Sequence, residues 1–304
     1  MTSTREYGMI LVVGATGMLG GEICRRLAAT GKFVRALVRS TSEPAKKQGL
    51  ERLGAELIEG DLKDRGSLDR ACRGATAVIT TAVAIGSKRG GDTFEAVDLK
   101  GQMQLVDAAR AANVERFIFV SVSKGVRESG NPLVEAKRAV EKHLRESGLV
   151  YTILRPTFFM EIWLSPHVGF DVQNAKATIY GSGKNPISFI SLHDVAQFTV
   201  DALTQPAACN TSVELGGPEA LSALELVSIF EPLVGRPFAK QFVSEQELQA
   251  RKTVARSPVE LTFADLMLAA ARGDVVDITE AARNFSFHPK SVREYARALL
   301  GQET

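Results

Sequence analysis

Three glycines between a short apolar run and an amphipathic segment constrain the fold of this chain most strongly. The apolar run Met9–Val13 leads directly into Gly14, Gly17 and Gly20, and a helical pattern follows. Gly14 would let the chain leave a strand in a tight turn, Gly17 would let the backbone approach a diphosphate, and Gly20 would let the helix pack closely. The amides of the first helical turn would point at the anion. The pattern predicts nucleotide binding, the alternative being a glycine turn used only for packing.

Short apolar runs alternate with amphipathic segments through the first half of the sequence. This alternation predicts an α/β Rossmann fold, with a doubly wound parallel sheet covered by helices on both faces. We expect strands at Met9–Val13, Phe33–Val38, Glu56–Ile58, Ala77–Thr80, Arg116–Ser121 and Tyr151–Leu154, and helices at Met18–Ala29, Ala45–Leu53, Gly66–Cys72, Phe94–Ala112 and Leu133–Ser147.

The alternation breaks down after Pro156, where an aromatic segment begins. We therefore predict two domains: a dinucleotide-binding domain over residues 1–155 and a smaller α+β cap over residues 156–304. The cap is expected to bind the substrate and to be partly interleaved with the core. In the cap we expect strands at Ala177–Tyr180, Ile187–Ile190 and Val213–Leu215, and helices at Leu192–Leu203, Ser222–Leu233, Glu245–Thr253, Pro258–Arg272 and Val292–Leu300.

Composition and charge exclude several classes of partner. The 304 residues contain 37 Lys and Arg against 35 Asp and Glu, a net charge of +2, which argues against nucleic acid or an anionic membrane as the main partner. No apolar run approaches the ~18 residues of a membrane span. Cys24, Cys72 and Cys209 are far apart and form no CxxC pair, so we expect reduced thiols in a cytoplasmic protein. No histidine has a partner at metal-ligand spacing, and no metal site is predicted.

The glycine spacing, G-x-x-G-x-x-G, resembles that of the short-chain dehydrogenase/reductase superfamily, in particular its atypical NmrA-like branch. The resemblance covers about residues 9–235 of the sequence. Beyond the glycines, the motifs that carry it are Gly60-Asp61-Leu62, Val97-Asp98-Leu99-Lys100-Gly101, Phe117–Ser121, Lys137-Arg138-Ala139-Val140-Glu141, Tyr151–Pro156 and Ile190–Ala196.

Arg39 follows the second predicted strand, where NAD-selective folds carry an acid that binds the adenine ribose. A guanidinium can instead pair with a 2′-phosphate through two hydrogen bonds. The residue therefore predicts NADP(H) as the cofactor, preferred over NAD(H). The alternative is a solvated surface arginine.

The resemblance also implies further contacts with the cofactor. Asp61 and Leu62 would lie along the adenine, Thr80 to Ala82 would border the cofactor ribose, and the backbone after Pro156 would meet the nicotinamide carboxamide. Ordinary loop capping is the alternative for Asp61, Leu62 and Thr80 to Ala82. The predicted cofactor-binding residues are Gly14, Thr16, Gly17, Met18, Leu19, Gly20, Arg39, Asp61, Leu62, Thr80, Thr81, Ala82, Lys137, Pro156, Thr157 and Phe158.

The catalytic motif of this family is incomplete. Lys137 fits the lysine of the Tyr-x-x-x-Lys pair, in which the tyrosine protonates a carbonyl oxygen and the lysine holds the nicotinamide ribose. Leu133 stands four residues earlier and has no proton to give, which argues against ordinary ketone reduction. Ser121 and Ser123 lie where short-chain enzymes often place a hydroxyl that polarises the substrate. We take Lys137 and Ser123 as the candidate catalytic residues; for Lys137 a solvated helix lysine is the alternative.

Three accounts of the missing tyrosine remain open. Lys137 could position the ribose and also supply the acid, its neutral form being favoured by desolvation or a nearby positive charge. The substrate could need no strong protein acid, as with quinones, enones and cationic dyes. The protein could also bind the nucleotide without turnover, as sensors of the NmrA-like branch do.

Aromatic side chains follow the sixth predicted strand and would form a wall of the substrate site. Phe159 and Trp163 are the candidate substrate contacts, the alternative being cap core for at least half of the segment. His167 is a candidate proton donor, although a lone loop histidine is more often a surface residue. Such a wall predicts a flat, apolar acceptor and a hydride path without water.

The sequence thus favours an NADPH-dependent oxidoreductase that transfers hydride to a small apolar, aromatic or quinone-like acceptor. The alternative is a non-catalytic, NADP-binding protein that reports redox state to a protein partner. We expect a monomer or homodimer with a small-molecule substrate.

Overall fold

A computed structural model of the chain describes residues 8–87, 89–127 and 130–302. The chain divides into two compact units. The first contains Met1–Ser121, Ala136–Leu154 and Ala196–Val213, and the second contains Val122–Glu135, Arg155–Val195 and Glu214–Thr304. Within the described residues, every helix is too short or too polar to cross a bilayer.

A seven-stranded sheet has the strand order β3-β2-β1-β4-β5-β6-β9, and the pairs from β3 to β6 are all parallel. In this order the strands run outward from β1 to β3 on one side and from β4 to β6 on the other, which confirms the predicted Rossmann α/β fold. The strands are β1 (Met9–Val13), β2 (Val34–Val38), β3 (Glu56–Glu59), β4 (Ala75–Thr80), β5 (Arg116–Val120), β6 (Tyr151–Pro156) and β9 (Thr211–Leu215).

The central strands are buried on both faces because apolar side chains follow one another without alternation. Leu11 and Val12 of β1 and Phe117 and Phe119 of β5 are completely inaccessible to solvent. The helices beside this sheet are α1 (Met18–Ala29), α2 (Pro44–Arg52), α3 (Arg65–Cys72), α4 (Gln102–Ala111), which continues a π-helical segment at Phe94–Gly101, α6 (Pro132–Glu146) and α8 (Leu192–Ala202).

A three-stranded sheet with the order β10-β8-β7 lies in the second unit, where β8 is parallel to β10 and antiparallel to β7. The ring of Phe170 packs against Phe230 and Phe238 at centroid distances of 5.2 and 5.5 Å and anchors its core. The remaining elements are α5 (Lys124–Arg127), α7 (Met160–Trp163), β7 (Phe170–Asp171), β8 (Lys176–Tyr180), α9 (Ala223–Val234), β10 (Ala239–Val243), α10 (Glu245–Val254), α11 (Pro258–Arg272), α12 (Thr279–Phe285) and α13 (Val292–Leu299), with 3₁₀ turns at Pro166–Val168 and Pro206–Ala208.

One of the strands predicted in the cap is absent, and another is confirmed but belongs to the seven-stranded sheet. Ile187–Ile190 forms no strand, because only Ile187 and Ile190 make isolated bridges to separate partners. The strand predicted at Val213–Leu215 exists, but as β9 it joins the seven-stranded sheet beside β6. Bridge partners and sheet membership depend on tertiary pairing, which an apolar run alone does not specify.

Candidate nucleotide-binding site

The glycine turn after β1 is shaped by two positions that exclude a side chain. Gly14 has a φ of 87°, and a Cβ there would lie 2.7 Å from Thr81 Oγ1 and 2.8 Å from the Ala82 nitrogen. A Cβ at Gly20 would lie 2.2 Å from the Gly14 oxygen. The turn is closed by a hydrogen bond of 2.9 Å from the Gly17 amide to that same oxygen. Both positions therefore require glycine.

The amino end of α1 follows this turn without a side-chain cap. Gly17 is the N-cap residue, and no side chain among the described residues bonds to the first-turn amides there. Met18 is 60% exposed, and Thr16 and Leu19 are half-buried. The first amides of a helix have no acceptor within the helix, so this end can receive an anion.

The segment after β4 closes the other side of the turn. Thr81 donates its amide to the Val13 oxygen over 2.9 Å, and Thr81 and Ala82 are half-buried. Thr80 is completely buried, and its hydroxyl donates to Gln102 Oε1 over 3.0 Å. The Gln102 amide in turn donates to the Ala82 oxygen. The side chain of Thr80 therefore positions the segment from within the fold.

Arg39 follows β2 and is paired with a buried carboxylate. Its Nη1 lies 2.7 Å from Oδ2 of Asp92, whose side chain is only 1% exposed. Lys63 Nζ donates to Oδ1 of Asp92 over 2.5 Å, and the Ser87 hydroxyl donates to Oδ2 over 2.7 Å. Burial acts to raise the pKa of Asp92, but these hydrogen bonds and the charges of Lys63 and Arg39 hold it below its usual value.

Asp61 and Leu62 follow β3. Asp61 accepts a hydrogen bond from the Lys63 amide over 3.0 Å, and its second oxygen lies 3.4 Å from Nη1 of Arg89. Leu62 is buried, and a Cβ at Gly101 would lie 2.8 Å from the Leu62 Cβ. The carboxylate of Asp61 thus stays partly accessible while Leu62 anchors its loop to the π-helical segment.

Lys137 is buried inside α6, with an exposed fraction of 4%. Its Nζ donates to the Val120 oxygen at the carboxyl end of β5 over 2.9 Å and lies 4.8 Å from the centre of the Phe119 ring. Burial lowers the pKa of Lys137, and the charges of Asp98 and Glu141 oppose that effect. The residue is therefore no solvated helix lysine.

Asp98 is an acid whose charge acts on Lys137, and it is completely buried in the π-helical segment. Its Oδ2 accepts the amide of Ala84 over 2.9 Å, and its Oδ1 has no hydrogen-bond partner within the described residues. Burial raises the pKa of Asp98 to about 6, although the charge of Lys137 and the Ala84 amide act to lower it. The sequence motif contained Asp98 but assigned it no role.

Both candidate serines donate their hydroxyl hydrogens to buried acids. Ser121 Oγ donates to Glu141 Oε1 over 2.6 Å in the first unit. Ser123 Oγ donates to Oδ2 of Asp274 in the second unit, where both residues are buried. The hydroxyl hydrogen of Ser123 is thus already donated to the Asp274 carboxylate. The catalytic role of Ser123 stays a prediction.

The aromatic segment after Pro156 belongs to the core of the second unit. Pro156 and Thr157 are buried, and the Thr157 hydroxyl donates to the Ser188 oxygen. The Phe158 ring is 4% exposed and contacts Trp163 edge-to-face at a centroid distance of 4.5 Å. Phe158 thus packs as core, as one of the two sequence interpretations expected.

The remaining substrate candidates lie on the same segment. Phe159 is half-buried and forms an isolated bridge with Ile190, and His167 is exposed in a 3₁₀ turn. Trp163 lines a cavity of about 50 Å³ together with Phe170 and Phe189. This volume is well below the roughly 300 Å³ of a small-ligand pocket.

A model of the NmrA-like family matches residues 6–295 of this sequence. The chain belongs to the NmrA-like family. This membership confirms the resemblance inferred from the glycine spacing and the six further motifs.

Individual relatives of this NmrA-like protein carry different names. A photosystem II assembly factor of Trieres chinensis is 32% identical over 228 residues, which cover 75% of this chain and 69% of the relative. An isoflavone reductase homolog of Zea mays is 33% identical over 274 residues, covering 85% and 84%. The structure of an NADPH-dependent quinone oxidoreductase of Escherichia coli, complexed with NADPH, has a TM-score of 0.76 at 24% identity and covers 96% of this chain and 99% of that one. The likeness to that structure shows a shared fold.

Sequence reasoning missed the polar residues that bind the predicted residues of the candidate site. Asp92, Lys63 and Ser87 were not predicted, and neither was Gln102. The motif Gly60-Asp61-Leu62 ends one residue before Lys63, so the lysine itself was within reach of sequence reasoning. Asp92 lies in the long segment between β4 and the π-helical segment, where no motif marks its pairing.

Proposed function

We propose that this protein is an oxidoreductase that binds NADP(H) in its first unit and transfers hydride to a small apolar acceptor. The observation that carries the proposal is the glycine turn, in which Gly14 and Gly20 leave no room for a Cβ beside an uncapped helix terminus. A dinucleotide fits this arrangement because a diphosphate needs close backbone approach and unpaired amides.

The residues that would hold the cofactor come from the carboxyl ends of four strands in the first unit. The first-turn amides of Met18 and Leu19 would bind the diphosphate, and Arg39 would pair with the 2′-phosphate. Asp61 would accept from the adenine amino group, and Thr81 and Ala82 would border the ribose. Bound NADPH would supply the hydride.

Lys137 is the proposed catalytic residue because it is buried at the carboxyl end of β5. It would position the ribose and hold a proton at Nζ. A lowered pKa makes that proton easier to give up, and Asp98 stabilises the charged form. Leu133 has no hydroxyl, so the proton donor that the tyrosine supplies in the Tyr-x-x-x-Lys motif is missing. This favours acceptors such as quinones and enones, which delocalise the charge of the added hydride.

The names of relatives support the proposal without assigning a substrate. The Escherichia coli neighbour is a quinone oxidoreductase with bound NADPH, and the Zea mays relative is an isoflavone reductase homolog. Substrate binding by the second unit, through Phe159, Trp163 and His167, remains a prediction. Nicotinamide contacts at Pro156, Thr157 and Phe158 also remain predictions. The same holds for the oligomeric state, a monomer or homodimer, and for the cytoplasmic location.

A second candidate is a non-catalytic NADP-binding protein that acts on a protein partner. It is favoured by Leu133 and by the two serine hydroxyls, which are held by Glu141 and Asp274. The Trieres chinensis relative, an assembly factor, supports the same class.

Oxidation of NADPH, followed at the nicotinamide absorbance with a panel of quinones, enones, azo dyes and aldehydes, separates the two candidates. We expect turnover with at least one quinone or enone and little with simple aldehydes. Lys137→Met, which keeps the length and removes the charge, should lower kcat at least about tenfold. Cofactor binding without turnover for any acceptor would reject the oxidoreductase and leave the second candidate.

A further inference from the structure

Arg39 of the proposed cofactor site and the neighbouring Lys63 share one internal anion, the carboxylate of Asp92. Arg39 Nη1 lies 2.7 Å from Asp92 Oδ2 and Lys63 Nζ lies 2.5 Å from Asp92 Oδ1, so each carboxylate oxygen has its own cation. Ser87 adds a hydroxyl donor to Oδ2 over 2.7 Å. A guanidinium, an ammonium and a hydroxyl converging on one anion are the donors that proteins use for a phosphate.

The exposure of the three side chains shows which partners remain reachable. Asp92 is 1% exposed, whereas Arg39 is 41% and Lys63 is 29% exposed. The carboxylate of Asp92 is therefore shielded from solvent, whereas the side chains of Arg39 and Lys63 keep part of their surface open to it. A ligand anion can therefore make its first contact with Arg39 and Lys63 before Asp92 has left them.

Asp92 is carried by backbone that can change its conformation at low cost. It follows Gly91, whose φ is 83°, and no atom lies within 4 Å of a Cβ built at Gly90 or Gly91. Glycines in open space restrict neither their own dihedrals nor their neighbours' packing. Because glycine restricts φ and ψ little, the backbone before Asp92 can rearrange so that the carboxylate leaves the cations.

A 2′-phosphate carries about two negative charges at neutral pH, whereas a carboxylate carries one. Both anions cannot use the same two cations fully, since like charges held by one site repel each other. Binding of a nucleotide with a 2′-phosphate must therefore weaken the bonds that Asp92 makes.

We propose that Lys63 is, with Arg39, the second cation for the 2′-phosphate of NADP(H), and that Asp92 is an internal anion that the phosphate must displace. This inference rests on the proposed function and makes Asp92 a determinant of specificity. Asp92 lowers the affinity for NADP(H) while leaving that for NAD(H) nearly unaffected. It also keeps the two cations ordered before the nucleotide arrives.

Calorimetric titration of the full chain with NADP⁺ and NAD⁺ tests this inference through the ratio of the two Kd values. Asp92→Asn should increase the preference for NADP⁺ about tenfold, because the amide no longer competes for the cations. Lys63→Ala should reduce that preference about tenfold. The ratio matters because loss of any negative charge strengthens the binding of both anionic nucleotides.

Asp69→Asn is the matched control, since Asp69 is an exposed acid paired with Arg65 on α3. It should leave the ratio within about twofold of the wild type. A ratio that is unchanged or reduced in Asp92→Asn would overturn the inference. Wild-type protein that binds neither nucleotide would instead overturn the proposed function.

Hydrogen exchange of the wild-type protein gives a second measurement should Asp92→Asn not fold. The amides of residues 89–93 should exchange faster with saturating NADP⁺ than with saturating NAD⁺, because only the 2′-phosphate releases Asp92. Equal exchange with both nucleotides, or slower exchange with NADP⁺, would contradict the displacement.

Discussion

Arg39 is the residue that decides between the two pyridine nucleotides in this account. It is 41% exposed and bound on one side to Asp92. A charge-assisted hydrogen bond contributes about 1.5–3 kcal/mol, which is roughly a tenfold to hundredfold effect on affinity. The release of Asp92 offsets part of that gain, so the lower figure applies.

Arg39→Ala should therefore weaken NADPH binding about tenfold and NADH binding less than threefold. Titration calorimetry with both nucleotides measures the two effects. Arg65→Ala is the matched control, because Arg65 is 42% exposed and also pairs with an aspartate. Equal losses for the two nucleotides would show that Arg39 does not contact a 2′-phosphate.

Asp98 links the stability of the protein to pH. Its pKa is raised by burial from 3.8 to about 6, so the folded protein retains a proton that the unfolded chain releases near pH 4. The free energy of unfolding contributed by Asp98 therefore falls as the pH rises from 4 to 6, and stays low above that. The shift corresponds to about 3 kcal/mol.

Asp98→Asn should remove this dependence, because an amide does not titrate. The unfolding free energy of the variant minus that of the wild type should grow by about 2 kcal/mol between pH 4 and pH 7, because part of the full effect is already lost at pH 4. Urea denaturation at several pH values measures the difference and cancels the contribution of the other acids. Parallel pH profiles for the two proteins would show that Asp98 has an ordinary pKa.

Single positions were predictable where one residue type has one physical reason to be there. Gly14 and Gly20 exclude a Cβ, whereas the role of Arg39, which follows β2, stays a prediction. The partners of these residues were not predictable in the same way. Asp92 reaches Arg39 across 53 residues of sequence, and only the path of the loop brings the two together.

Helix α1 is the element on which the proposed nucleotide site depends. Its amino end presents uncapped amides, and its first turn packs so closely on the glycine turn that a Cβ at Gly20 would lie 2.2 Å from a backbone oxygen. A Cβ at Gly21 would lie 3.4 Å from the nearest atom, which is an ordinary contact. Two adjacent glycines of one helix therefore differ in what they tolerate.

Gly20→Ala should destabilise the protein by about 2 kcal/mol and abolish NADPH binding, because α1 must shift away from the turn. Gly21→Ala should leave binding intact and match or exceed the wild-type melting temperature, since alanine favours a helix. Thermal unfolding and calorimetry check both variants. Unchanged NADPH binding by Gly20→Ala would contradict the close packing at this position.

Elements were predictable where their periodicity was strong. The bounds of β1, α1 and α11 agree with the sequence prediction, because continuous apolar runs and amphipathic segments ended at glycines or charged residues. Strand β10 was missed, since four of its five residues are exposed and its sequence Ala-Lys-Gln-Phe-Val has no buried face. Pairing with β8 creates that strand, and pairing does not show in local sequence.

At the scale of the whole molecule, the order of elements was enough to predict the Rossmann sheet. Parallel strands need crossover helices, so the alternation leaves few topologies. The division of the chain into two units was harder to predict, because Ala196–Val213 belongs to the first unit although it lies between two segments of the second. Residues far apart in the sequence, such as Val134 and Val292, enter the core of the second unit, and only tertiary packing determines that.

The proposed function depends on one property, which is selective binding of a pyridine nucleotide by the intact protein. Titration calorimetry of the wild-type chain with NADPH and NADH measures it directly. We predict a 1:1 complex with NADPH at a Kd in the range of about 1–100 μM and weaker binding of NADH. The absence of heat with both nucleotides, for protein shown to be folded, would contradict the assignment of the glycine turn as a nucleotide site.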